Sequence, residues 1–150
     1  MSPGSRMRAG ESEGVVLDSH ALLAYFQDEP GANQVEDLLK RASRGEVRLL
    51  LTVVNLGEVA YITERTLGLQ RAQEAMAKIE QLPIQVVDVD KRIALEAAHL
   101  KARYAIAYAD CFALALARIE GASLVTGDPE FECVRPEDGV PLIWIRKTPG

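Results

Sequence analysis

A chain of 150 residues with 48% hydrophobic content is long enough for one domain with a substantial core, and that content excludes disorder throughout. Its formal net charge of −5 argues against a protein that coats nucleic acid by charge alone, but not against one whose acids are gathered in a metal site. Aromatic content is only 5%, and alanine and leucine carry the apolar mass, which favours a helix-rich α/β architecture.

Residues 1–14, MSPGSRMRAGESEG, have no hydrophobic period and read as a disordered lead or an added remnant, without the apolar run of a signal peptide. No apolar run is long enough to cross a bilayer, so no membrane role is expected. Cys111 and Cys133 lack metal-ligand spacing and read as free thiols in a reducing compartment, which makes the expected location cytoplasmic.

The first strand is expected over residues 15–18, a short apolar run of the kind buried on both faces of a sheet. It ends in Asp18-Ser19, and a helix follows over 21–26. Asp18 therefore stands at the carboxyl end of a strand, where ligands bind in open α/β sheets. Taken alone, capping of the helix by Asp18 or Ser19 is the commoner use of such residues. Asp28-Glu29-Pro30-Gly31 makes a turn, and Val35, Leu38, Leu39 and Ala42 mark a second helix by their helical spacing. Its basic end, around Lys40, Arg41 and Arg44, suits a helix C-terminus, with RNA contact the minority reading.

A second strand is expected over 47–51, after which Thr52 caps a third helix over 53–67 that Gly68 ends. Glu58 shares a mostly apolar face there with Val54, Tyr61 and Ile62. Either it belongs where water is scarce, or it is a partly exposed acid paired with Arg65; this helix alone favours neither. Ala72, Ala75, Met76 and Ile79 mark a fourth helix stopped by Pro83, with Met76 as core filler. A third strand follows over 84–87. Asp90 is placed to cap a fifth helix with Ile93, Ala97, Leu100 and Tyr104 inward, and both it and Asp88 read as structural. His20 and His99 are isolated and receive no role.

The most informative stretch is YAIAYADCFALALARIEGASLVTGDPEF, residues 104–131. Between 105 and 117 its only charged residue is Asp110. As a helix, this run would put Asp110 on a face with Ile106, Ala107, Ala113 and Leu114. A carboxylate stripped of water costs several kcal/mol if left uncompensated, so Asp110 must be protonated, paired or holding a cation. The strand expected over 122–126 ends in Gly127-Asp128-Pro129, which sets Asp128 just beyond it. A last strand over 140–145 carries Pro141, a mark of an edge position. The order β-α-α-β-α-α-β-α-α-β-β predicts a three-layer α/β/α sandwich on a mainly parallel sheet of about five strands. One domain spans 15–146, followed by a tail at 147–150.

Four carboxylates stand out: Asp18, Glu58, Asp110 and Asp128. Strand ends one and four and the adjoining helix starts share one edge of a parallel sheet, so three of them can converge and Glu58 can join from a flanking helix. Like charges in one cleft repel, and a hard divalent cation relieves them. With many carboxylates and few histidines the expected ion is Mg²⁺, with Mn²⁺ able to substitute, rather than zinc. Such a site suits hydrolysis of a phosphodiester, with one ion or with two about 4 Å apart. The substrate is left open by these residues.

At these positions the chain resembles the PIN-domain proteins, in particular the VapC-type toxins of toxin–antitoxin pairs. The matching pieces are VVLDSHALLAYF around Asp18, TVVNLGEVAY around Glu58, YADCFALALA around Asp110 and LVTGDPEF around Asp128. The resemblance covers residues 15–145 and implies a Mg²⁺-dependent endoribonuclease, a homodimer, and inhibition by a small VapB-like antitoxin. It carries catalytic and metal-binding roles to Asp18, Glu58, Asp110 and Asp128, with Asp18 and Asp110 as the most constant ligands. Ser19, Asn55 and Thr126 become candidates for contacting substrate or supporting the acids. The stretch before Asp18 is longer than usual in this family, which fits an added start.

Other readings compete. A non-toxin PIN-like nuclease that processes RNA would share every one of these residues. A receiver-like Mg²⁺-binding signalling domain would want an early acidic pair and a lysine after a late strand, where the chain has Gly127-Asp128-Pro129. A haloacid-dehalogenase-type phosphatase would want Asp-x-Asp where the chain has Asp18-Ser19-His20, and dinucleotide binding lacks its glycine-rich turn. A non-enzymatic module would not need four intact acids. Partner contacts are expected on the first four helices, at apolar residues such as Leu22, Tyr25 and Phe26.

Overall fold

The computed structural model describes residues 12–145, so 1–11 of the expected lead and the expected tail at 147–150 lie outside the described residues. Five strands form one sheet: β1 (Glu13–Leu17), β2 (Val47–Thr52), β3 (Ile84–Val87), β4 (Ser123–Thr126) and β5 (Leu142–Trp144). The first begins at Glu13, two residues into the stretch expected to be lead, because Glu13 and Gly14 pair with Val47 and Arg48. All pairings are parallel and the order is β3-β2-β1-β4-β5. The central strand β1 thus has β2 on one side and β4 on the other, and its residues from Gly14 to Leu17 are buried, as their unbroken apolar run demands.

Six helices cover the sheet: α1 (Ser19–Phe26), α2 (Ala32–Ser43), α3 (Val53–Leu67), α4 (Leu69–Gln81), α5 (Lys91–Arg103) and α6 (Tyr108–Glu120). One core layer joins Leu17, Leu22, Leu39, Leu51 and Val59 with the first four helices. The other joins Val16, Leu50, Leu124 and Phe131 with α5 and α6. This is the expected α/β/α sandwich. Three crossover helices start on side-chain caps: Asp18 for α1, Thr52 for α3 and Asp90 for α5. Pro141 precedes β5, an edge strand as its proline suggested.

Two local expectations are corrected. The apolar run at 105–117 is not helical throughout, because α6 begins only at Tyr108. Residues 104–107 are a non-helical link that bends at Ile106: Tyr104 and Ile106 are buried, Lys101 Nζ donates to the Ile106 carbonyl at 2.6 Å, and Ala107 has φ −58° and ψ 144°. Ile106 and Ala107 are therefore not helical neighbours of Asp110, which instead sits in the first turn of α6, near the positive end of the helix dipole. Leu22, expected on the surface, is fully buried, and Tyr25 and Phe26 are half-buried against the same core. The exposed large apolar residues of this region are Val53, Tyr61, Leu67 and Leu69, on α3 and α4. Among the described residues no helix is long and apolar enough to cross a membrane.

Candidate metal centre

Asp18 leaves β1 fully buried, and its two oxygens have different fates. Oδ1 accepts the Ala21 N–H at 2.8 Å, so the capping role is real. Oδ2 is buried with no hydrogen-bond partner among the described residues. Capping and ligation are not rivals here, because one carboxylate has an oxygen for each. Burial raises the Asp18 pKa to about 6, and nearby Asp128 adds to the rise, against the opposing pull of Thr126, the Ala21 N–H and His20.

Thr126, the last residue of β4, is also buried, and its Oγ1 accepts the Asp128 N–H at 3.0 Å. Asp128 in turn starts a short 3₁₀ turn, Pro129–Cys133, with its Oδ1 accepting the Glu130 N–H at 2.9 Å. That turn carries Glu130 back over the start of α6. There Glu130 Oε1 accepts the Ala107 N–H at 2.5 Å. Carboxylate oxygens of Asp110, Asp128 and Glu130 all lie within 4.8 Å of one another. Glu130 was not anticipated from the sequence. Its signal was the Asp-x-Glu spacing in TGDPEF, since a turn right after a strand end can aim both acids at the same place.

Asp110 is buried beside them. Burial pushes its pKa up to about 8, reinforced by a hydrogen bond with the Glu130 side chain and by the charges of Asp18, Glu58 and Glu130.

Glu58, half-buried in α3, is oriented from two directions. Its Oε1 accepts from Ser19 Oγ at 2.8 Å and from Asn55 Nδ2 at 3.2 Å. Asn55 is fully buried and also donates to the Ala109 carbonyl at 3.2 Å, tying α3 to the start of α6. The alternative partner, Arg65, lies over the Tyr61 ring at 5.3 Å instead. Among the described residues none of the five acids forms an ion pair with lysine or arginine.

The structure thus brings Asp110 and Asp128 together with Glu130, while Asp18 and Glu58 flank that trio and act on Asp110 through their charges. The group fits a hard divalent cation on three counts. Its donors are all oxygen, one buried carboxylate oxygen is orphaned, and two of the acids lie above their ordinary pKa with no lysine or arginine paired to them among the described residues.

Comparison with known proteins places the fold and the family. The family model of the PIN domain matches residues 15–135. The chain is 29% identical over 125 residues to VapC ribonuclease Mb0640 of Mycobacterium bovis and equally to ribonuclease VapC30 of Mycobacterium tuberculosis, spanning 79% of this chain and 92% of each relative. DNA-bound VapBC from Salmonella typhimurium superposes with a TM-score of 0.67 at 19% identity, covering 87% of this chain and 97% of the other. The sarcin-ricin-loop-cleaving toxin VapC20 of Mycobacterium tuberculosis superposes with a TM-score of 0.59 at 18% identity, covering 79% and 92%.

Proposed function

Because the chain belongs to the PIN domain family, we propose that it is a Mg²⁺-dependent endoribonuclease, the toxin of a toxin–antitoxin pair. The observation that carries this reading is the meeting of Asp110, Asp128 and Glu130 within 4.8 Å beside the orphaned Oδ2 of Asp18. Asp18, Asp110, Asp128 and Glu130 would hold the ion, with Glu58 positioned at the flank by Ser19 and Asn55. When bound, Mg²⁺ or Mn²⁺ supplies the Lewis acidity that orients a water and offsets charge developing on the phosphate.

The chain's own residues contribute the rest. Asp18 and Asp110 are buried while Asp128 and Glu130 are half-buried, so the acids that would hold the ion are reachable by a phosphodiester only from the side of Asp128 and Glu130. The hydrogen bonds from Ser19 and Asn55 fix Glu58, so it is aligned before substrate arrives rather than ordered by it. A cation bound there would favour the ionised form of Asp110, whose pKa burial raises to about 8.

A small antitoxin partner is supported by the VapC names of the relatives and by the VapBC structure of the same fold. The surface that suits such a partner, or a second copy, is the groove of about 280 Å³ where Phe26, Leu67 and Ala75 are bordered by the charged Arg71, Glu74 and Lys78. The deciding experiment is incubation of purified protein with a mixed RNA pool, with EDTA, Mg²⁺ or Mn²⁺. Cleavage restored by either metal supports the reading. Intact RNA under all three conditions, with a folded and metal-loaded protein, would sink it.

A further inference from the structure

Next to the acid cluster lies a second feature that the metal chemistry does not use. A cleft of about 400 Å³ is lined by His20, Glu29, Pro30, Gly127, Pro129, Glu132, Trp144 and Ile145. It shares its wall with the metal centre. His20 is two residues beyond Asp18, Gly127 immediately precedes Asp128, and Pro129 and Glu132 belong to the turn that carries Glu130. A phosphodiester held at the acids would leave its neighbouring nucleoside at this opening, and the volume falls in the range of small-ligand sites, roughly 300–1,000 Å³.

The cleft is built rather than incidental. A Cβ on Gly127 would lie 2.7 Å from both Cδ2 and Nε2 of His20, and 3.1 Å from the Ile145 carbonyl oxygen. The imidazole of His20 is therefore seated on the glycine backbone, and only glycine allows it. Imidazole and indole are flat faces of the kind on which bases stack. Glu29 and Glu132 contribute carboxylates, which at neutral pH only accept hydrogen bonds. Two acceptors on the wall favour the base with the most donors on one edge. Guanine presents N1–H and N2–H₂ side by side. Adenine and cytosine each present one amino group beside an acceptor nitrogen, and uracil one N–H between two carbonyls.

We propose that this cleft is a base-binding subsite that prefers guanine in a nucleotide adjoining the scissile phosphate, with His20 and Trp144 as its walls and Glu29 and Glu132 as its readers. The substrate side of this inference rests on the nuclease reading above, but the cleft can be tested without it.

Trp144 is the only tryptophan in the chain, so its fluorescence reports on this cleft. The full chain is titrated with GMP, AMP, CMP and UMP in EDTA. GMP should quench at the lowest concentration and UMP at the highest, with at least tenfold between them, since a bidentate base contact contributes about 1–3 kcal/mol. Glu29→Gln and Glu132→Gln should each reduce that ratio at least threefold. Equal quenching by all four nucleotides, no quenching by any, or a ratio unchanged in both variants would overturn the proposal. In parallel, short RNAs that vary one position either side of a cleaved bond should show a guanine preference that the same variants weaken. Nucleotide-selective quenching without RNA cleavage would sink the nuclease reading alone, whereas cleavage without base-selective quenching would sink the subsite alone.

Discussion

Ser19 Oγ donates to Glu58 Oε1 at 2.8 Å, joining two residues 39 positions apart. The contact links the helix that follows β1 to the helix that follows β2, and Asn55 holds the same oxygen from within α3. Ser19→Ala removes one of the two donors. Cleavage should fall about tenfold in kcat/KM with little change in Tm, because one hydrogen bond to a charged group contributes roughly 1.5–3 kcal/mol, shared between orientation and stability. Asn55→Ala should be the harsher change. It also removes the partner of the half-buried Ala109 carbonyl, so it should lower stability by about 1–3 kcal/mol in a thermal melt. Equal, wild-type cleavage by both variants would remove Glu58 from the chemistry.

Asp110→Asn is expected to abolish RNA cleavage and metal binding while leaving the fold intact or stabilised. The carboxamide keeps the shape of the side chain, removes one of several crowded negative charges, and can donate to Glu130. A metal-free Tm higher by roughly 3–8 °C would correspond to about 1–3 kcal/mol in a domain of this size. Circular dichroism melts in EDTA and a gel-based cleavage assay measure the two halves. A lower Tm together with normal cleavage would contradict both.

The pH dependence of the metal-free protein has a definite sign. Asp18 and Asp110 are raised from an ordinary 3.8 to about 6 and about 8, so the fold binds their protons more tightly than the unfolded chain does. Their contribution to stability is complete below about pH 4 and is lost as pH rises towards 8. Comparing wild type with Asp110→Asn isolates the effect of one carboxyl from all others. The Tm advantage of the variant in EDTA should grow from pH 5 to pH 8. Added Mg²⁺ should reverse the order, because it stabilises only the wild type, and calorimetry at pH 7 in buffers of different ionisation heat should detect proton release on binding.

Gly127→Ala should cost stability and activity together. The new methyl would press on the His20 ring and the Ile145 carbonyl, at a cost of roughly 1–3 kcal/mol. His20→Ala in the same chain should restore part of the lost Tm, since the ring is the closer of the two obstacles. Strict additivity of the two changes would show that the ring and the glycine do not touch.

Much of this arrangement was legible in the sequence because its signals were local. The apolar run ending in Asp18, the lone acid in an apolar stretch at Asp110, and Gly127-Asp128-Pro129 after a strand each marked a carboxylate where water is scarce or a strand ends. Element order and the parallel sheet followed from strands separated by helical periods. What escaped was set by tertiary contact. Glu130 becomes part of the cluster only because the 3₁₀ turn folds it onto Ala107 and Asp110, and the Asp-x-Glu spacing that hints at this is too short a signal to fix the turn's direction. The late start of α6 goes with Lys101, which bonds the Ile106 carbonyl, and with the buried Tyr104, and both lie upstream of the apolar run. Leu22 looked like surface because α1 is apolar on nearly every side, leaving no polar face to orient it.

The strand order places β1 between β2 and β4, so the acids beside Asp18 come from a part of the chain made much later. During translation Asp18 leaves the ribosome more than a hundred residues ahead of Asp128 and Glu130. At about 5–20 residues per second that interval lasts roughly 5–20 s. Throughout it the nascent chain lacks the strand that completes its centre. A centre assembled from both ends of the chain is thereby held incomplete until synthesis is nearly finished.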